Sequence, residues 1–140
     1  MVPKGHILVV DDERFCREAV AGLLEREGYH VIPAVDGRDA IEKLESFRPD
    51  LIIVDQKMPD MTGLELLEVV RKNAQFDRTG AMMLTAFGDR HCVKRAKELN
   101  VADYVLKSGF SARNLIERVR RYFDPTSSTP PQHRTRPLAA

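Results

Sequence analysis

Long apolar runs are missing from this chain, and so is any excess of charge. No uninterrupted apolar stretch in the 140 residues nears the ~18 needed to cross a bilayer. Met1-Val2-Pro3-Lys4-Gly5, ahead of the first apolar run, is too short for a secretory signal. Lys and Arg number 22 against 21 Asp and Glu, a formal net charge of +1, so nothing electrostatic points to nucleic acid. Cysteine is scarce. Cys16 and Cys92 lie far apart in helical patterns, which excludes a disulfide framework or a Cys metal cluster and suits reduced, packed thiols in a cytoplasmic protein. No glycine-rich turn follows the first apolar run, which reads Asp-Asp-Glu instead; this disfavours dinucleotide binding.

What is present is a strict alternation of strand and helix patterns. His6-Val10 is a strand, and Glu13-Glu27 a helix with Phe15, Cys16, Ala19, Val20, Leu23 and Leu24 on one inward stripe. His30-Val35 is a second strand, placed at a sheet edge because Pro33 cannot donate to a ladder. A second helix runs from Asp36-Gly37 to about Phe47. Leu51-Asp55 is nearly all apolar, the mark of a strand buried on both faces. A helix from about Gly63 to Asn73, a strand Ala81-Thr85, a helix capped by Asp89 that ends near Asn100, and a strand Asp103-Lys107 follow. Ser111 caps the last helix, which turns Leu115, Ile116, Val119, Tyr122 and Phe123 inward. Five βα units imply one parallel sheet with right-handed crossovers. The domain spans residues 1–124. Residues 125–140, rich in Pro, Ser and Thr, read as a disordered tail or truncated linker.

Polar residues close these strands: Asp11-Asp12, Asp55, Thr85 and Lys107. In a parallel sheet the carboxyl ends all open onto one crevice. Three acids would meet a hydroxyl and an ammonium there. Crowded carboxylates repel each other and lose solvation, so a cation and a phosphate are the expected guests.

These elements, with Met58-Pro59 and Gly63 after Asp55, Ala86 after Thr85, and Tyr104 three residues before Lys107, resemble the receiver domain of two-component response regulators over about residues 5–123. The resemblance implies a single (βα)5 flavodoxin-like α/β fold, sheet order 2-1-3-4-5, with helices on both faces. It implies a signalling switch, not an enzyme with a diffusible substrate. Asp55 would accept a phosphoryl group from a histidine kinase or phosphotransfer protein. Asp12 and Asp55 would bind Mg2+ directly, Asp11 through a water, and Lys57 through its backbone carbonyl. Lys107 would pair with Asp55 and then with the phosphoryl group, Thr85 would reach a phosphoryl oxygen, and Tyr104 would turn inward. The changing surface would be the fourth helix, fifth strand and fifth helix. It would act on a downstream protein or a fused output domain outside this chain. A phosphorylation-dependent homodimer through the same surface is also expected, with no membrane contact and no direct nucleic-acid binding.

Ser108 stands where most members of this family carry proline after the strand-5 lysine, so the Lys107–Ser108 bond is expected to be trans. Lys57 and Phe87, each two residues past a site residue, flank the path of the hydrolytic water in the family; they imply a long phosphorylated lifetime. Arg90, Lys94, Arg95, Lys97, Arg113, Arg118, Arg120 and Arg121 make a basic face, either solvated or a dock for an acidic partner. The rivals are a receiver-like binding module that is not phosphorylated, and a haloacid-dehalogenase-like phosphatase. Adjacent Asp11 and Asp12 count against the second, whose two acids stand two residues apart.

Overall fold

The computed structural model describes residues 2–109 and 111–125. Five strands, β1 (His6–Val10), β2 (His30–Ala34), β3 (Leu51–Val54), β4 (Gly80–Thr85) and β5 (Asp103–Leu106), alternate with five helices. The helices are α1 (Arg14–Arg26), α2 (Gly37–Lys43), α3 (Gly63–Arg71), α4 (Arg90–Glu98) and α5 (Ala112–Phe123). All strand pairs are parallel, in the order β2-β1-β3-β4-β5. Pro33 therefore sits on an edge strand, where its missing N–H costs nothing.

Period-two alternation divides the central strands between two cores. Ile7, Val9, Leu51, Ile53, Met82 and Leu84 pack against Val20 and Leu24 of α1 and Leu115 and Val119 of α5. Leu8, Val10, Ile52, Val54, Ala81 and Met83 face the other way, toward α2, α3 and α4 through Ala40, Leu66, Leu67, Val70 and Ala96. Every residue of β3 is buried, because helices cover both faces of the sheet.

Local chemistry sets the helix ends. Asp36, Asp89 and Ser111 accept from the backbone N–H of Asp39, Cys92 and Asn114, each satisfying an orphan donor. Thr62 and Glu65 form a reciprocal capping box at the start of α3. Asn100, at φ 58°, takes the left-handed conformation that closes α4.

Several sequence expectations need correction. Phe15 is 84% exposed and Ala19 is exposed. The inward stripe of α1 is Cys16, Val20, Leu23 and Leu24; positions 15 and 19 lie about 100° to one side of it. The second helix stops at Lys43, not Phe47. Its last turn tightens, with Glu45 N–H donating to Glu42 and Ser46 N–H to Lys43, both at 3.2 Å. The third helix ends at Arg71, and Asn73 starts a single 3-10 turn, Ala74–Phe76. The Lys107–Ser108 bond is trans as expected, since no described peptide bond is cis, and Lys107–Gly109 forms one 3-10 turn. The expected tail lies outside the described residues from residue 126 onward. No described helix is long and apolar enough to cross a membrane.

Candidate functional site

The strand ends converge as the alternation requires. Asp11 follows β1, Asp55 follows β3, Thr85 closes β4 and Lys107 follows β5. Ligand oxygens of Asp11, Asp12 and Asp55 lie within 4.8 Å of one another. Asp11, Asp55 and Thr85 are buried, whereas Asp12 is exposed. Lys107 Nζ donates to Asp55 Oδ2 at 2.9 Å and lies 2.9 Å from Asp11 Oδ2. Glu13 is a more distant contact at 4.0 Å. Burial alone would lower the lysine's pKa. The hydrogen bonds and charges of Asp55 and Asp11 outweigh it and hold the ammonium well above its ordinary value.

The carboxylates differ in how they are held. Asp11 Oδ1 accepts from Glu13 N–H at 2.9 Å, and its carbonyl accepts from Arg17. Asp55 Oδ1 accepts from Gln56 N–H at 2.7 Å. Asp12 makes no hydrogen bond or ion pair among the described residues, so it is not a helix cap; Glu13 holds that position without a side-chain bond. One lysine therefore faces three acids.

The Thr85 hydroxyl oxygen accepts from Phe87 N–H at 3.2 Å and, weakly, from Gln56 N–H at 3.4 Å. With its acceptor side engaged, its own proton is left to donate. Tyr104 is half-buried against the core beside α4, and its hydroxyl donates to the Phe87 carbonyl. Burial, followed by the nearby Cys92 and Asp89, pushes the phenol pKa up. The ring expected to turn inward is thus already tied to the β4–α4 loop.

Gly63 matters for a reason of space. A Cβ there would overlap the Asp55 carbonyl oxygen, and its N–H donates to the Gln56 carbonyl at 2.8 Å. Only glycine lets α3 start this close to the acidic strand end.

The exposed Lys57 side chain lies over the Phe87 ring, 5.4 Å from its centroid, a cation–π pair. With Gln56, Thr62, Asp89 and Cys92 they line a cavity of about 210 Å³. Two neighbours carried no sequence signal. Gln56 Oε1 accepts from Leu64 N–H at 3.0 Å while its Nε2 approaches Cys92 Sγ at 3.7 Å, which links α3 to α4. Cys16 borders Asp11 and Lys107, and burial first, then Asp11, pushes its thiol pKa up to about 12. Both cysteines are free.

The basic face is neutralised only in part. Arg95 pairs with Glu68 and Glu98, Arg118 with Asp103, and Arg120 with Glu27. Arg90, Lys94, Lys97 and Arg113 make no ion pair among the described residues.

Comparison with known proteins bears on the family and the fold. A family model described as "Response regulator receiver domain" matches residues 7–120. The hybrid signal transduction histidine kinase D of Dictyostelium discoideum is 39% identical over 116 residues, which cover 83% of this chain and 7% of that protein. Response regulator RR06 of Streptococcus pneumoniae is 35% identical over 122 residues, 84% of this chain and 54% of that one. The chain thus spans about half the length, or much less, of these curated relatives. Among solved structures, the chemotaxis response regulator CheY4 of Vibrio cholerae superposes with a TM-score of 0.76 at 34% identity, covering 83% of this chain and 96% of its own.

Proposed function

This chain belongs to the response regulator receiver domain family, and from that premise we propose that it is a signalling switch thrown by phosphorylation of Asp55. The observation that carries the reading is the shared lysine: Lys107 reaches carboxylates from two different strands at 2.9 Å each, beside a third acid, Asp12, that makes no ion pair among the described residues.

Magnesium fits this donor set. Three carboxylates with ligand oxygens within 4.8 Å offer hard oxygen ligands and an unbalanced negative charge. Asp12 and Asp55 would hold the ion directly, Asp11 through a water, and the Lys57 carbonyl would complete the protein's share. When bound, the ion neutralises charge on the phosphoryl group being transferred.

This chain's own residues do the rest. An Asp55 oxygen attacks the phosphorus of a phosphohistidine on a kinase or phosphotransfer protein; the new O–P bond forms as the P–N bond breaks. Lys107 then exchanges its contact with Asp55 for a phosphoryl oxygen. The Thr85 hydroxyl donates to another. A hydrogen bond to a charged group contributes about 1.5–3 kcal/mol, whereas inverting a 1:99 equilibrium takes about 5.5 kcal/mol. Thr85 and Lys107 must therefore act together. Moving Thr85 withdraws the acceptor from Phe87 N–H, and Phe87 carries the carbonyl that holds Tyr104. Loop and ring respond as a unit, and the α4–β5–α5 surface changes for a downstream protein, a fused output domain or a second copy of the chain. The setting is cytoplasmic.

Incubation with acetyl phosphate and magnesium, followed by intact mass, tests this reading. A phosphoryl adduct that disappears in Asp55→Ala is expected. An adduct that persists in the variant would remove Asp55 from its role. Absence of any adduct would favour a receiver-like binding module.

A further inference from the structure

At the end of the sheet opposite Asp55, two histidines face each other. His6 and His30 begin β1 and β2 and are register partners. Their Nδ1 atoms lie 3.1 Å apart. Their rings stand at 89° with centroids 5.2 Å apart. Phe47 meets both edge-on, at 6.1 Å and 5.6 Å. The Asp50 carboxylate accepts from His6 N–H at 2.8 Å, adding negative charge at this corner. His30 is exposed and His6 half-buried, so the corner opens to water.

We propose that this pair is a binding site for a late first-row divalent transition cation. The argument is one of bite. Imidazole nitrogens bind such ions at about 2.0–2.1 Å. Two of them 3.1 Å apart then subtend roughly 95–100° at the ion, between square-planar and tetrahedral angles. Neutral imidazole is a preferred ligand for zinc, nickel and copper, and a poor one for magnesium. In the bare pair only one ring can place a proton on Nδ1, because two protonated Nδ1 atoms would set donor against donor. A cation accepts both Nδ1 lone pairs, and each neutral ring then carries its proton on Nε2. The backbone places both residues in advance, since the register pairs their Cα atoms and Phe47 backs the rings. Water would complete the shell, because Asp11, Asp12 and Asp55 are the one group of three or more acidic, His or Cys ligands among the described residues. The two metal sites would differ in chemistry: oxygen donors for magnesium at one end of the sheet, nitrogen donors for a softer ion at the other. Bound metal would tie the edge strand β2 to β1.

The test is calorimetric titration of zinc(II) into the full chain, with magnesium in large excess to fill the acidic site. One zinc ion per chain is expected. Affinity should fall by about tenfold or more in His6→Gln and in His30→Gln, and stay unchanged in His91→Gln and His133→Gln. The circular dichroism of each variant checks its fold. In the unsubstituted chain, the imidazole nitrogen NMR resonances of His6 and His30 should shift together as zinc is added. Zinc binding that survives both first substitutions, or is lost in either of the other two, would overturn the proposal. So would resonances that ignore zinc and report only one proton shared between the rings.

Discussion

Lys107 holds Asp55 and Asp11 at the same distance, 2.9 Å to each. A single cation from β5 thus bridges acids from β3 and β1, and a divalent ion must compete with it for the same oxygens. Replacing Lys107 with Met should tighten magnesium binding by about 1–2 kcal/mol, near a factor of ten, because like charges no longer meet in the pocket. The same variant should accept phosphate yet fail to change the α4–β5–α5 surface. Fluorescence or NMR titration with magnesium and then with beryllofluoride measures both. Unchanged magnesium affinity would show that the lysine does not compete.

Asp12 adds charge to the cluster without a partner among the described residues. Asp12→Asn should raise stability in magnesium-free buffer by about 0.5–1 kcal/mol, since like-charge repulsion falls. It should also abolish magnesium-dependent phosphorylation. Urea melts with and without magnesium make the comparison; a destabilised variant in both would contradict the repulsion argument.

Gly63→Ala probes the close approach of α3 to Asp55. The added methyl meets backbone, which cannot swing aside as a side chain can. A loss of about 1–3 kcal/mol is expected from overpacking, together with slower phosphorylation as the Asp55 segment shifts. Wild-type rates in this variant would mean that the loop absorbs the strain elsewhere.

Alkaline pH should unfold the protein in a particular window. The Cys16 thiol has its pKa raised from 9.0 to about 12, so the folded state holds the proton more tightly than the unfolded chain. Stability from this source is complete below the unfolded value and is lost as pH rises through the folded one. Lys107 acts with the same sign, starting above its ordinary value of 10.5. Denaturation midpoints should fall between pH 9 and 12, and Cys16→Ala should flatten the lower part of that fall. An unchanged slope in the variant would clear Cys16 of the effect.

Lys57 and Phe87 stand together in a cation–π pair at 5.4 Å, covering the approach between the β3–α3 and β4–α4 loops. Replacing both with small neutral residues should speed loss of the phosphoryl group from Asp55 severalfold, and each single change should do so by less. Decay of the phosphorylated mass with time gives the rates. Equal lifetimes in all four proteins would remove the pair from the path of the water.

Much of this molecule was legible from residue order. Strict strand–helix alternation prescribed the parallel sheet, Pro33 marked an edge strand, and polar residues at four strand ends announced a shared crevice. These are local signals: periodicity, a missing donor, a charge that ends an apolar run. Helix ends were less legible, because the tightening after Lys43 and the turn at Ala74–Phe76 depend on how each segment meets its neighbours.

What the sequence by itself determined was therefore the layered fold and the membership of the acidic cluster, since both follow from periodicity and chain direction. Tertiary structure alone decided who touches whom. It turned Phe15 outward, set Cys16 beside Lys107, made Lys107 a bridge between two acids and Phe87 the anchor of Tyr104, and brought His6 against His30. The physical reason is that side-chain contacts across strands depend on register and on the angle at which each helix lies on the sheet. No local pattern encodes either one.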